Sequence, residues 1–226
     1  MTPFPDTIPS LTPRAMNQPD SRLPHVADIH THDLDAPAGD AIICLPLEWT
    51  ERPELFRPRP GALYSAGIHP WWTADEAQAQ RTAEGLKRLL PHPQIVAVGE
   101  CGFDRLRGGT IDAQTRFYLL QAHLAQRHGL PLIIHCVRAF DVLLHVHRQL
   151  AQPIPAVIHG FRGRPALARQ LLDAGFDLSF GHRHNPQSWE ITPPARRHCE
   201  TDDEAAALPT PQKRHTDGTE NSCKTD

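Results

Sequence analysis

The chain has little that would tie it to a membrane, an oxidising compartment or a large charged partner. Only five of its 226 residues are cysteine (44, 101, 136, 199 and 223), and no two form a C-x-x-C pair. An odd count without that spacing fits neither a disulfide framework nor a zinc ribbon, and suits a reducing cytosol. Apolar stretches are short, as in Leu130-Pro-Leu-Ile-Ile134, whereas a membrane-spanning helix needs about 20 residues. The opening Met1-Thr-Pro-Phe-Pro5 lacks the basic start and apolar stretch of a signal peptide. Net charge is only −3, so no global field draws nucleic acid or a bilayer. Together these absences predict a cytoplasmic chain without membrane contact, and nothing in them calls for a stable protein partner.

What is abundant is proline, at 23 residues, and histidine, at 15. Prolines recur through residues 1–24 without any apolar period, which predicts a mobile arm there. Pro209 and Pro211 break any helix after Ala207, so residues 208–226 are expected to be a polar, disordered tail. Residues 25–207 are left as one folded domain. Within it, the segment from Arg138 to Arg197 holds eight arginines against four acids. Such an excess either faces phosphate, which guanidinium grips in a fixed fork, or forms an ordinary solvated face.

Short β-like stretches alternate with helical ones. Strands are expected over Val26–His32, Ala41–Pro46, Leu63–His69, Ile95–Glu100, Leu132–Cys136, Ala156–His159, Asp177–Phe180 and Arg197–Asp202. Most are apolar nearly throughout, as parallel strands covered by helices must be. Thr73-Ala-Asp-Glu76 reads as a capping box opening a helix to about Leu90. Ala113, Phe117, Leu120 and Leu124 form one stripe of a second helix that Gly129 closes. Phe140, Leu143, Leu144 and Leu150 mark a third, and Pro165 to Gly175 bounds a fourth. The links after the second and seventh strands look irregular. Eight strands alternating with helices predict an α/β fold of the (β/α)8 TIM-barrel type, with reactive groups at the C-terminal strand ends. The span from Val26 to Asp202 is shorter than the usual barrel of at least about 200 residues, so a compact, trimmed barrel and an open sheet both fit.

The strand ends carry the chemistry. The first ends Asp28-Ile-His30-Thr-His32, whose two imidazoles share one side about 6.6 Å apart along the chain. The fourth ends in Glu100, the fifth in His135, the sixth in His159 and the last in Glu200-Thr-Asp202. Each polar residue terminates an apolar stretch, a costly placement unless the group is paired or binds something. Four histidines and two carboxylates without cysteine suit zinc, manganese or cobalt, while magnesium prefers more oxygen ligands. Six ligands exceed one tetrahedral site and fit two divalent ions about 3.5–4 Å apart, sharing a carboxylate. Hydrolysis by a metal-activated water is the natural reaction.

Asp28-Ile-His-Thr-His32, Gly67-Ile-His-Pro70, Gly99-Glu-Cys-Gly-Phe-Asp104, Ile134-His-Cys-Val-Arg138, Ile158-His-Gly-Phe161 and Glu200-Thr-Asp202, in that order, resemble the motifs of TatD-like metal-dependent DNases, within the amidohydrolase superfamily. The resemblance runs from about residue 26 to 203. It implies that His30 and His32 hold one ion and His135 and His159 the other. Glu100 would bridge them, and Asp202 would bind the first ion and take the proton from the attacking water. It implies a transient DNA or other phosphodiester substrate, with Zn, Mn, Co or Mg as the ions. His69 either contacts phosphate or caps a turn. Arg138 either clamps a phosphate oxygen or merely opens a helix. Asp28 orients an imidazole or satisfies backbone groups, and Asp104 orders its loop. Cys101 and Cys136 read as small packing groups. Trp71 and Trp72 either stack a base at the barrel mouth or pack under the next helix. One departure from the family is the helix begun at Asp203-Glu-Ala-Ala-Ala207 and stopped by Pro209, which leaves closure at the C-terminus open. Two other readings remain: an amidohydrolase-type hydrolase of C–N, lactone or aminoacyl ester bonds, and a catalytically impaired metal-binding homologue.

Overall fold

The computed structural model describes residues 23–203. Eight parallel strands run in chain order: β1 (Asp28–Thr31), β2 (Ala41–Cys44), β3 (Leu63–Ala66), β4 (Ile95–Asp104), β5 (Leu132–Val137), β6 (Ala156–Ile158), β7 (Asp177–Phe180) and β8 (Arg197–Cys199). The ring closes beyond the end of β8. Thr31 and Asp202 form a parallel bridge, with Asp202 N–H donating to the His30 carbonyl and His32 N–H to the Asp202 carbonyl, at 3.0 and 3.2 Å. The same two bonds hold His30, His32 and Asp202 side by side.

Helices α1 (Leu47–Glu51), α2 (Glu76–Leu89), α3 (Ile111–His128), α4 (Phe140–His147), α5 (Pro165–Asp173) and α6 (Pro186–Ile191) lie between the strands. The links expected to be irregular each contain a short helix: α1 follows Pro46, the extended residue at its N-cap, and α6 opens on Pro186, whose fixed φ suits a first turn. The capping box expected at Thr73 does not form. Pro70–Ala74 is a 3-10 turn whose Thr73 hydroxyl donates to the Pro70 carbonyl, and Asp75 caps α2 by accepting from Gln78 N–H.

Two apolar clusters follow from strands buried on both faces. Ile29, Ile42, Ala97, Ile133 and Val157, with Val26, form the smaller one, made of strand residues, which fills the barrel interior. The larger joins the outward strand faces to α2 through α5, with Leu86, Phe117, Leu143 and Leu171 among its members. Strands β3, β4 and β5 approach unusually closely beneath the mouth. A Cβ on Gly99 would sit 2.5 Å from the Ile133 carbonyl oxygen, and one on Gly67 2.7 Å from the Gly99 carbonyl carbon. Only glycine allows that contact, and it brings the next residue on β4, Glu100, into the centre. No helix among the described residues is long and apolar enough to cross a membrane. The expected tail, the helix start after Asp203 and all of the arm before Leu23 lie outside the described residues.

Candidate metal centre

The six strand-end residues converge. The buried Glu100 carboxylate sits among five imidazoles with its two oxygens turned different ways. Oε2 lies 3.5 Å from His30 Nε2 and 3.1 Å from His32 Nε2. Oε1 lies 2.8 Å from His159 Nε2, 3.4 Å from His135 Nδ1 and 3.4 Å from His69 Nε2. Asp202 Oδ1 faces the first set, 3.6 Å from His30 and 3.7 Å from His32. Strand placement explains the convergence. His30 is within β1, Glu100 within β4 and His135 within β5, whereas His32, His69, His159 and Asp202 lie one to three residues beyond their strands.

Charge is concentrated there. Burial would push the Glu100 carboxyl up, but the charges of His159 and His30, with hydrogen bonds from His135 and His159, hold it well below its ordinary value. Burial likewise opposes a proton on His30, yet Glu100 raises it to about 9, and Glu100 raises His159 well above its ordinary value. Asp202, also partly buried, is brought down to about 2 by His30 and His159. The neighbouring Cys44 and Cys101 thiols are pushed far up by burial and by Glu100, so they remain neutral packing groups. His69, with burial as its main influence, is lowered.

The donor set fits a divalent cation. Imidazole nitrogens and carboxylate oxygens gather into overlapping groups: His30, His32 and Asp202; His30, Glu100 and His159; His69, Glu100 and His135; and His159, Glu200 and Asp202. Both ring nitrogens of His30, Nδ1 of His159 and Oε2 of Glu200 are buried without a hydrogen-bond partner. A folded protein rarely leaves such atoms unmatched unless something else binds them.

The weaker expectations separate cleanly. His69 caps its turn, Nδ1 accepting from Trp71 N–H at 3.1 Å, and also turns Nε2 toward Glu100. Arg138 is exposed, with φ of 51°, and its carbonyl accepts from the Arg105 guanidinium; no contact between its own guanidinium and the cluster exists. Asp28 serves backbone, accepting from His30 and Thr201 N–H and from the Thr201 hydroxyl. Asp104 does more than order its loop. It accepts from Leu106 and Arg107 N–H, from the Trp71 indole at 2.6 Å, and faces His135 Nε2 at 3.3 Å.

Three supporting residues escaped the sequence reading. Glu200 is buried, accepts from Gly160 N–H and lies 3.7 Å from His159 Nδ1. It shares a motif with Asp202, and its two-residue offset was the available signal. Gln114 and Gln121 stand seven apart on the buried face of α3. Gln121 closes a paired bond with the Ile68 backbone, accepting at 2.6 Å and donating at 3.1 Å. Gln114 does the same for Asp104, at 2.7 and 2.8 Å. One helix thus fixes the strand ends that carry His69 and Asp104. Glutamine inside an apolar stripe was the clue.

An eight-stranded α/β barrel whose mouth gathers histidines and carboxylates into a cation-fit cluster defines the class: a barrel with a candidate metal centre at its mouth. Residues 41–206 match the family model described as TatD related DNase, and the chain belongs to that family. It is 32% identical to an uncharacterized metal-dependent hydrolase TatD of Mycobacterium tuberculosis over 77% of this chain and 61% of that protein. It is 34% identical to a protein of Erwinia billingiae named 3'-5' ssDNA/RNA exonuclease TatD, over 58% of this chain and 51% of that one. The chain thus spans between about half and three-fifths of the length of these relatives. Among solved structures, the TatD homologue YjjV of Escherichia coli superposes with a TM-score of 0.60 at 20% identity, covering 80% of this chain and 79% of that one. A TatD family hydrolase of Entamoeba histolytica gives 0.58 at 22% identity, over 72% and 60%. At those identities the likeness is one of fold.

Proposed function

We propose that the chain is a two-ion, metal-dependent phosphodiester hydrolase acting on nucleic acid from an end. The observation that carries the reading is the Glu100 carboxylate, whose oxygens each serve a different set of imidazoles. His30, His32 and Asp202 would hold one ion, His135 and His159 the other, with one Glu100 oxygen toward each. When bound, such a pair supplies Lewis acidity and lowers the pKa of the attacking water. The chain's own residues do the rest. Asp202, at the rim where β8 meets β1, takes the water proton on a carboxylate oxygen. Asp104 holds His135 through Nε2 and leaves Nδ1 facing the centre; Glu200 lies 3.7 Å from Nδ1 of His159, beyond hydrogen-bond distance, while His159 Nε2 meets Glu100. The apolar plug beneath the cluster keeps solvent access to the mouth side. Support for the substrate comes from the family and from the exonuclease name carried by the Erwinia relative.

The test is digestion of end-labelled single-stranded DNA and RNA by the purified chain with manganese, magnesium or zinc, beside ester and amide reporters. Shortening from one end, lost in Asp202→Asn with bound metal largely retained, supports the reading. Turnover confined to carbonyl reporters would establish the amidohydrolase alternative. No turnover on any substrate despite bound metal would establish the impaired homologue.

A further inference from the structure

Four large hydrophobic side chains are exposed among the described residues, and one of them, Trp71 at 41%, touches the cluster. Trp71 is exposed yet firmly held. Its indole N–H donates to Asp104 Oδ2 at 2.6 Å, and its ring meets His69 edge-on at 4.6 Å and His135 at 5.8 Å. Its backbone is locked as well. Gly109 N–H donates to the Thr73 hydroxyl at 3.1 Å. Gly108, at φ +90°, lies so close that a Cβ there would come within 2.2 Å of the Pro70 carbonyl oxygen. The Arg107 guanidinium lies over the Trp71 ring, 4.5 Å from its centroid. Trp72, the adjacent residue, packs against the main core instead. A tryptophan needed only for packing would be covered in the same way. This one is pinned at its edge, carries the Arg107 guanidinium over its ring and is still 41% exposed beside the candidate metal ligands.

Every nucleobase presents a flat face, and an unpaired base stacks on an indole or on a guanidinium plane without sequence preference. Bases inside a duplex already have both faces occupied. We propose that Trp71, with Arg107 over its ring, is a stacking shelf for an unpaired nucleobase beside the scissile phosphodiester, and so favours single-stranded over duplex polynucleotide. The inference rests on the nuclease reading above and adds the residue that selects the substrate.

The experiment compares binding of an oligothymidylate decamer and an abasic decamer, which carry the same phosphates, by fluorescence anisotropy on the full chain. The wild type is expected to bind the thymidylate between about fivefold and a hundredfold tighter than the abasic strand, the range for one stacked base. Trp71→Leu brings that ratio close to one and changes abasic affinity less than about twofold. Trp71→Phe, which keeps a ring but gives up the bond to Asp104, retains most of the preference. Arg107→Ala, which leaves that bond intact, lowers it by about two- to fivefold. Equal wild-type affinity for both strands, or a preference that survives Trp71→Leu, overturns the shelf. Cleavage of both decamers at equal efficiency would discard the shelf and leave the nuclease reading standing. A thymidylate preference without cleavage under any metal would discard the nuclease reading and leave the shelf.

Discussion

Replacing Asp104 by asparagine changes one atom and tests whether this carboxylate aligns the metal-facing histidine. The aspartate accepts on both sides. Oδ1 takes Leu106 and Arg107 N–H at 2.7 and 3.1 Å, while Oδ2 takes the Trp71 indole at 2.6 Å and faces His135 Nε2 at 3.3 Å. An amide has one oxygen, so either orientation sets its NH2 against N–H donors. The loss is two charge-assisted bonds replaced by donor–donor opposition, roughly 2–4 kcal/mol in a largely buried position. Because outer partners of ligating histidines are worth about 10–100-fold in metal affinity, binding at the His135 side falls by that order. Urea denaturation measures the first effect and calorimetric titration with zinc or manganese the second. A midpoint and a metal affinity both unchanged from wild type would refute the assigned role. Loss of stability alone would reduce Asp104 to the loop-ordering residue its sequence context suggested.

Gln121→Leu fills the same space but strands the Ile68 N–H and C=O, and should cost about 2–4 kcal/mol by denaturant unfolding; a cost below about 0.5 kcal/mol would show that α3 does not clamp this strand end. His147 supplies a pH dependence away from the cluster. Burial lowers it to about 4, with Nδ1 held 2.7 Å from the buried Tyr118 hydroxyl. Since its folded value lies below the unfolded one of about 6.5, its contribution is complete above pH 6.5 and disappears as pH falls toward 4. The full shift corresponds to about 3 kcal/mol, reduced toward about 2 by partial exposure. Urea midpoints at pH 7.5 and 4.5 should therefore separate more in the wild type than in His147→Leu, and identical separations would refute the assignment.

Much of this fold is legible because its strands are buried on both faces. Each of the eight expected stretches contains a strand, although β8 is polar and only half-buried, and the six candidate ligands lie at the mouth. The ends were read less well, since β4 runs four residues past Glu100 while β3 stops three before His69. Hydropathy marks where a strand is covered, and the pairing of neighbours decides where it ends. The N-terminus of α2 was misplaced because Pro70 diverts Thr73 into a 3-10 turn, a local competition that the capping pattern does not express. Barrel closure is not legible in the sequence because it depends on two backbone bonds between residues 170 or more positions apart. Gln114, Gln121 and Glu200 act over shorter separations, on partners 10, 53 and 40 positions away. Their partners are backbone groups or rings on other elements, and only their polarity at buried positions points to a role.

The two-oxygen role of Glu100 is tested most directly by anomalous diffraction from crystals grown with manganese or zinc. Two metal peaks about 3.5–4 Å apart, one touching each carboxylate oxygen, are the predicted outcome. A single peak, or a pair lying away from Glu100, would contradict it.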